Sequence, residues 1–286
     1  MKRILAATDF SDRSEQAVRR AALLARRHGA SLALIHVVDD DRPAHLVEIE
    51  HRAAALLLEE RAQALREDGI ETSALVRDGA PSAALLAAAA ETGADLVIIG
   101  AHRRHLLKDV FLGTTAERII RHSSLPVLMV NRPAEADYRH ILLAVDLSDA
   151  SRQAVRAAQK LGLDRAAEAT VLHLYAAPAT MLMIQSSARS EDIRRHEAEM
   201  GKQAWAELAT FLKGLVPADT KRLLQPCNAG EAEAILAIAR EIGADLAIVG
   251  THGKGALSRL LLGSVAEGVL RLADRDVLAV PPALPG

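Results

Sequence analysis

Short apolar runs along this chain alternate with longer stretches in which apolar residues recur every three or four positions, a pattern that predicts strands alternating with helices. Ile4 to Thr8 reads as a strand, and Ser14 to His28 as a helix with Ala17, Val18, Ala21, Leu24 and Ala25 inward, stopped by Gly29. Ser31 to Val38 is a second strand, and His45 to Asp68 an amphipathic helix that ends at Gly69. Thr72 to Arg77, Asp95 to Ile99 and Pro126 to Val130 continue as strands, with helices at Pro81 to Thr92 and Gly113 to His122 between them. Such alternation implies right-handed crossovers and a parallel sheet covered by helices on both faces.

The same order recurs. ILAATDFSDRSEQAV at Ile4 to Val18 matches ILLAVDLSDASRQAV at Ile141 to Val155, and GADLVIIGAH at Gly93 to His102 matches GADLAIVGTH at Gly243 to His252. The first match is offset by 137 residues and the second by 150, so about thirteen extra residues lie between the first and fourth strands of the second copy. Ala176 to Ser190 is the expected place for them; its Met181 to Ile184 reads as a lid, a partner patch or core beneath a long loop. Asn131 to Asp137, with Pro133, is the natural linker. The expected fold is therefore α/β, as two tandem doubly wound parallel-sheet domains at 1–133 and 138–286.

Gly243 to Ser264, GADLAIVGTHGKGALSRLLLGS, carries the chemistry. Ala244 to Val249 is a strand buried on both faces, and the chain then turns through Gly250, Gly253 and Gly255, where the backbone can approach a ligand closely. After the apolar Ala256 to Leu262, Gly263-Ser264 opens a helix through Val265, Val269 and Leu270, with Ser264 suited to its N-terminus. Glycine amides, a hydroxyl and the positive end of a helix macrodipole together suit phosphate oxygens. A tight strand-to-helix turn is the plainer reading of the same glycines. The spacing is neither Gly-x4-Gly-Lys-Ser/Thr nor Gly-x-Gly-x-x-Gly.

Gly250-x2-Gly253-x9-Gly263-Ser264 resembles the nucleotide-binding signature of the universal stress protein family, whose domains are Rossmann-like and similar to those of adenine-nucleotide alpha hydrolases. The resemblance covers nearly the whole chain and implies a cytoplasmic stress-response protein that binds ATP in its second domain. The implied binding set is Asp146, Leu174, Gly250, His252, Gly253, Lys254, Gly263, Ser264 and Val265. Leu174 would pair with the adenine edge through its backbone, and His252 and Lys254 would neighbour the phosphates without acting as catalysts. Asp146 at a strand end could meet a ribose or a magnesium ion, or could simply cap the next helix. The resemblance also implies packing of the two copies as an intramolecular pseudo-dimer through Val127 to Val130 and Val277 to Val280, with a homodimer of two chains as a further option. The turn glycine after the third strand is Gly79 in the first copy, but its counterpart is Ala229, leaving Gly230 to shift into the role.

The first copy keeps Asp9 but reads Gly100-x2-Arg103-x9-Gly113-Thr114, with arginine in place of the second glycine. Its site is expected to be degenerate, or to hold an anion through Arg103 with Arg104 and Lys108 nearby. His102, His105 and His122 read as turn or surface histidines, and Cys227 as a small buried filler.

Composition narrows the rest. Half of the 286 residues are apolar, enough for two cores, and with aromatics at 2% these are built from Ala, Leu, Ile and Val. Thirty-five basic against 37 acidic side chains give a net charge of -2, which favours neither nucleic acid nor an anionic membrane as partner. One cysteine fits a reducing compartment, and the N-terminal apolar run is too short for a signal peptide. The expected function is a nucleotide-dependent switch or interaction module with an unknown protein partner. The alternatives are a nucleotide-independent scaffold, a slow ATPase or self-phosphorylating protein, or an adenylating enzyme, whose His-x-Gly-His and Ser-Gly-Gly-x-Asp-Ser motifs this chain lacks.

Overall fold

A computed structural model of the chain describes residues 1–101, 114–163, 167–176, 189–253 and 262–282. The first half runs β1 (Arg3–Ala7), α1 (Asp12–His28), β2 (Ser31–Val38), α2 (Ala44–Glu67), β3 (Thr72–Asp78), α3 (Pro81–Glu91), β4 (Leu96–Gly100), α4 (Thr115–His122) and β5 (Val127–Val130). The second repeats the order as β6 (His140–Val145), α5 (Asp149–Leu161), β7 (Glu168–Tyr175), α6 (Ser190–Leu212), β8 (Lys221–Pro226), α7 (Glu231–Glu241), β9 (Leu246–Gly250), α8 (Ser264–Leu272) and β10 (Asp276–Val280).

Local chemistry explains the boundaries. The Ser11 side chain accepts from Ser14 N to start α1, and Gly29 at φ +58 ends it by donating to Ala25 O. Ser148 and Gly162 do the same for α5.

All ten strands form one sheet, ordered β3-β2-β1-β4-β5-β10-β9-β6-β7-β8. Neighbours within each half are parallel, and the halves meet through the antiparallel pair β5–β10, with Leu128 opposite Leu278. Both leucines are fully buried. This pairing covers two strand edges that would otherwise expose unpaired backbone groups.

Helices lie in two layers. Leu24, Leu58, Val155 and Leu208 place α1, α2, α5 and α6 against one face, and Leu85, Ile120, Ile235 and Val269 place α3, α4, α7 and α8 against the other. Along β9, Leu246 and Ile248 join the first layer and Val249 the second, the alternation a strand requires.

β1 through β2 correspond to β6 through β7 at one offset, whereas β4 and β9 correspond at the larger one, so the surplus falls after β7. Residues 177–188, including Met181 to Ile184, lie outside the described residues. The linker is tied down along its length. Ala134 N donates to Gln16 Oε1 at 3.1 Å, Arg20 Nη1 to Ala136 O at 2.6 Å, and Arg27 pairs with Asp137. No helix among the described residues is long and apolar enough to cross a membrane.

Candidate functional site

In the second half the strand order reverses between β6 and β9, which opens a crevice at their carboxyl ends. A cavity of about 590 Å³ occupies that crevice. Its size is ordinary for a small-molecule site.

β6 ends at Asp146. Its Oδ1 accepts from Ser148 N at 3.0 Å, from Ser148 Oγ at 2.5 Å and from Ser151 Oγ at 2.7 Å. The turn puts Leu147 at φ +64, a left-handed conformation that costs a non-glycine residue of order 1 kcal/mol or more. Ser148, not Asp146, caps α5, accepting from Ser151 N at 3.2 Å. Asp146 therefore braces the cap while lining the cavity. In the first half Asp9 and Phe10 (φ +59) repeat this turn. There, burial alone would raise the Asp9 carboxyl, but hydrogen bonds from Ser11 and Ser14 outweigh it and hold it below its ordinary range.

β9 ends at Gly250, whose missing Cβ would stand 3.3 Å from Ala150 C and O in the first turn of α5. Beyond it Gly263 N donates to Thr251 O at 2.8 Å. That bond is the physical sense of the long spacing: it returns Gly263 to the start of the loop, with a Cβ on Gly263 falling 3.8 Å from Gly253 N. A Cβ on Gly253 would stand 2.9 Å from Asp146 Oδ2. Glycine at 253 is thus what lets the loop backbone lie against the carboxylate.

Gly263 caps α8, and among the described residues no side chain bonds to that helix start. Ser264, expected at the helix N-terminus, takes its first helical position, where it is exposed. Its counterpart Thr114 does cap α4, accepting from Glu117 N at 3.1 Å. The α8 amides are therefore left toward the cavity, with the positive end of the helix behind them.

His252 Nδ1 lies 2.9 Å from Thr251 Oγ1, and its buried Nε2 has no hydrogen-bond partner among the described residues. Leu174 sits one residue past Val145–His173, the last rung between β6 and β7, while its pairing with β8 continues to Tyr175. Asp146, Leu174, Gly250, His252, Gly253, Gly263, Ser264 and Val265 all line the one cavity. Lys254 lies outside the described residues, as do His102, Arg103, Arg104, His105, Lys108 and Gly113 of the first half.

Sequence patterns did not single out Glu231, Ile235 or Ser151, which also line the cavity. Gly230 was the available signal for Glu231. It adopts φ +73 and caps α7, so the positive φ held by Gly79 (φ +124) in the first half moves one position along.

Among the described residues no group of three or more His, Cys, Asp or Glu could hold a metal ion. A magnesium ion at Asp146 would depend on a ligand's own phosphate oxygens, the usual way that ion is held. The one carboxylate would meet the ion while the amides meet the ligand's phosphate oxygens, which fits that arrangement. His122 Nδ1 lies 2.8 Å from Arg118 O, within its own helix. Cys227 is half-buried, with Sγ bonded to Ala229 O at 3.2 Å.

A profile of the Universal stress protein family matches residues 1–131 and 137–281. A universal stress protein of Mycolicibacterium smegmatis is 26% identical over 301 aligned residues, covering 98% of this chain and 97% of that protein. One from Thermus aquaticus is 31% identical over 135 residues, 45% of this chain and 98% of its own length. Among solved structures, a universal stress protein from Archaeoglobus fulgidus superposes with TM-score 0.70 at 20% identity, covering 98% of this chain and 96% of that one. A functionally unknown Pseudomonas aeruginosa protein gives TM-score 0.70 at 22% identity, covering 99% and 93%.

Proposed function

We propose, from the premise that this chain belongs to the universal stress protein family, that its second half binds ATP and acts as a nucleotide-dependent switch. The observation that carries this reading is the Gly263–Thr251 bond, which brings Gly253, Gly263 and the start of α8, capped by no side chain among the described residues, together beside Asp146. Amides and a helix N-terminus stabilise phosphate oxygens. The unpartnered Nε2 of His252 is a further polar group for that end of the ligand. The nucleobase lies toward Leu174, where the apolar wall is. Bound nucleotide alters the surface that the loop offers a protein partner, and a single cysteine suits work in the reducing cytoplasm.

Calorimetric titration of nucleotide-free protein with ATP and magnesium, wild type against Gly253→Arg, tests this. The expected result is one site per chain, lost in the variant, whose circular dichroism and melting remain those of a folded protein. A folded variant with wild-type affinity, or a wild type that binds no ATP, overturns the reading.

A further inference from the structure

The cavity has two unlike ends. One is made of loop amides, Gly263 and the start of α8; the other is walled by Leu172, Leu174 and Ile235, with one carboxylate, Glu231, facing the space. Glu231 is the first residue of α7, and positions 231 and 235 lie one turn apart on the same helical face. Glu231 is exposed to solvent and lines the cavity together with Ile235. It makes no hydrogen bond or ion pair among the described residues.

Its charge offsets the positive end of α7, whose start no side chain caps. The fold does not require it, because the first half builds the same helix start with Pro81 and carries Leu85 one turn on. A carboxylate there repels phosphate, which directs the anionic part of a ligand to the α8 end. A carboxylate is also acceptor-only, so it favours a ligand that presents an N–H or O–H donor and disfavours one that presents a carbonyl oxygen.

We propose that Glu231 selects the nucleobase by accepting a hydrogen bond from the exocyclic amine of adenine and rejecting purines that carry a carbonyl at that position. The proposal rests on the reading that the cavity takes a nucleotide with its phosphates at Gly253 and Gly263. Among purine triphosphates, ATP and ITP test this, because ITP carries a carbonyl where ATP has the amine, together with a proton on the neighbouring N1.

The test is calorimetric titration of the full chain with ATP and with ITP, for wild type, Glu231→Gln and Glu231→Ala. Wild type is expected to prefer ATP by roughly tenfold or more, the scale of a hydrogen bond to a charged group. Glu231→Gln, which can donate as well as accept, is expected to bring the ATP/ITP ratio close to one while ATP still binds, and Glu231→Ala to lower the ratio similarly. A ratio unchanged in both variants overturns the proposal, since discrimination by backbone groups alone would survive them. Wild type that binds ATP and ITP equally overturns it too, yet leaves the nucleotide reading standing. Wild type that binds neither overturns both.

Discussion

Where β10 begins, Asp276 is 1% exposed and accepts from Asn131 N at 2.9 Å, Arg132 N at 3.2 Å and the Tyr138 hydroxyl at 2.5 Å. Arg20 completes the cluster, with Nε 3.3 Å from the carboxylate and its guanidinium 4.2 Å over the Tyr138 ring. Where β5 begins, the corresponding residue is Pro126, and the chain leaving β10 beside it is Pro281-Pro282. One end presents two backbone N–H groups and buries a carboxylate to receive them; the other presents none and needs no acceptor. Buried backbone donors must be paired, and each end satisfies that rule in its own way.

The linker is what makes the ends differ. It crosses between the halves only once and covers Gln16, whose counterpart Gln153 instead lines an open cleft of about 440 Å³ with Pro126, Pro281 and Pro282. Burial pushes the Asp276 carboxyl above its ordinary range, against the hydrogen bonds from Tyr138 and the amides and the charge of Arg20. Burial, and then the Asp276 charge, raise Tyr138 well above the usual phenol value.

The largest expected effect comes from removing this cluster's centre. Asp276→Ala strands the Arg20 charge and two amides and should cost about 3–5 kcal/mol, read from urea unfolding. A loss under about 1 kcal/mol would mean that the linker is held by its other contacts and that the proline end is equally sufficient.

The two helix starts sharpen the contrast between the sites. Thr114→Ala should cost about 1 kcal/mol, a typical value for a lost N-cap. Ser264→Ala should cost less than half of that in stability, because Gly263 is the cap of α8 and Ser264 takes no part. Equal losses in thermal melts would show that the Ser264 hydroxyl closes its helix start as Thr114 does, leaving no open amides for a ligand.

The smallest effect concerns Asp274, beside Arg275 at 3.0 Å and Arg240 at 2.9 Å, where the first half has Ser124. Burial raises its pKa, but hydrogen bonds from both arginines outweigh it and bring the value from 3.8 to about 2. The folded pKa lies below the unfolded one, so the stabilisation is present above about pH 3.8 and is lost as pH falls toward about 2. Asp274→Asn should weaken the protein at neutral pH by under about 1 kcal/mol, since Asp274 and Arg240 face solvent although Arg275 is buried. At pH 2 the variant should match wild type; an equal deficit at both pH values would show that the carboxylate charge is not the cause.

Periodicity was enough to place the elements, because each buried face writes itself into the chain at period two or three to four. Ser31 to Val38 is a strand at those residues, and the helix expected at His45 to Asp68 is Ala44–Glu67. The duplication made the parallel halves legible, and family resemblance supplied the β5–β10 contact. The candidate site was legible where glycines punctuate it, at Gly250, Gly253 and Gly263. It was not legible at Glu231, because one carboxylate at a helix start looks like any other, nor at Leu147, whose positive φ leaves no mark on a leucine.

By itself, then, the amino-acid sequence determined two α/β units, their strands and helices, and a glycine frame with its counterpart broken at Arg103. Those are local properties: periodic burial, turns that need glycine, and spacing along one chain. Only the tertiary structure decided that Thr251 and Gly263 meet, that Gly263 and not Ser264 caps α8, and that Asp276 is paired by two linker amides together with Tyr138 and Arg20. The first and the last depend on groups apart in sequence finding hydrogen-bond partners on burial, and which groups those are is settled only when the ten strands share one sheet.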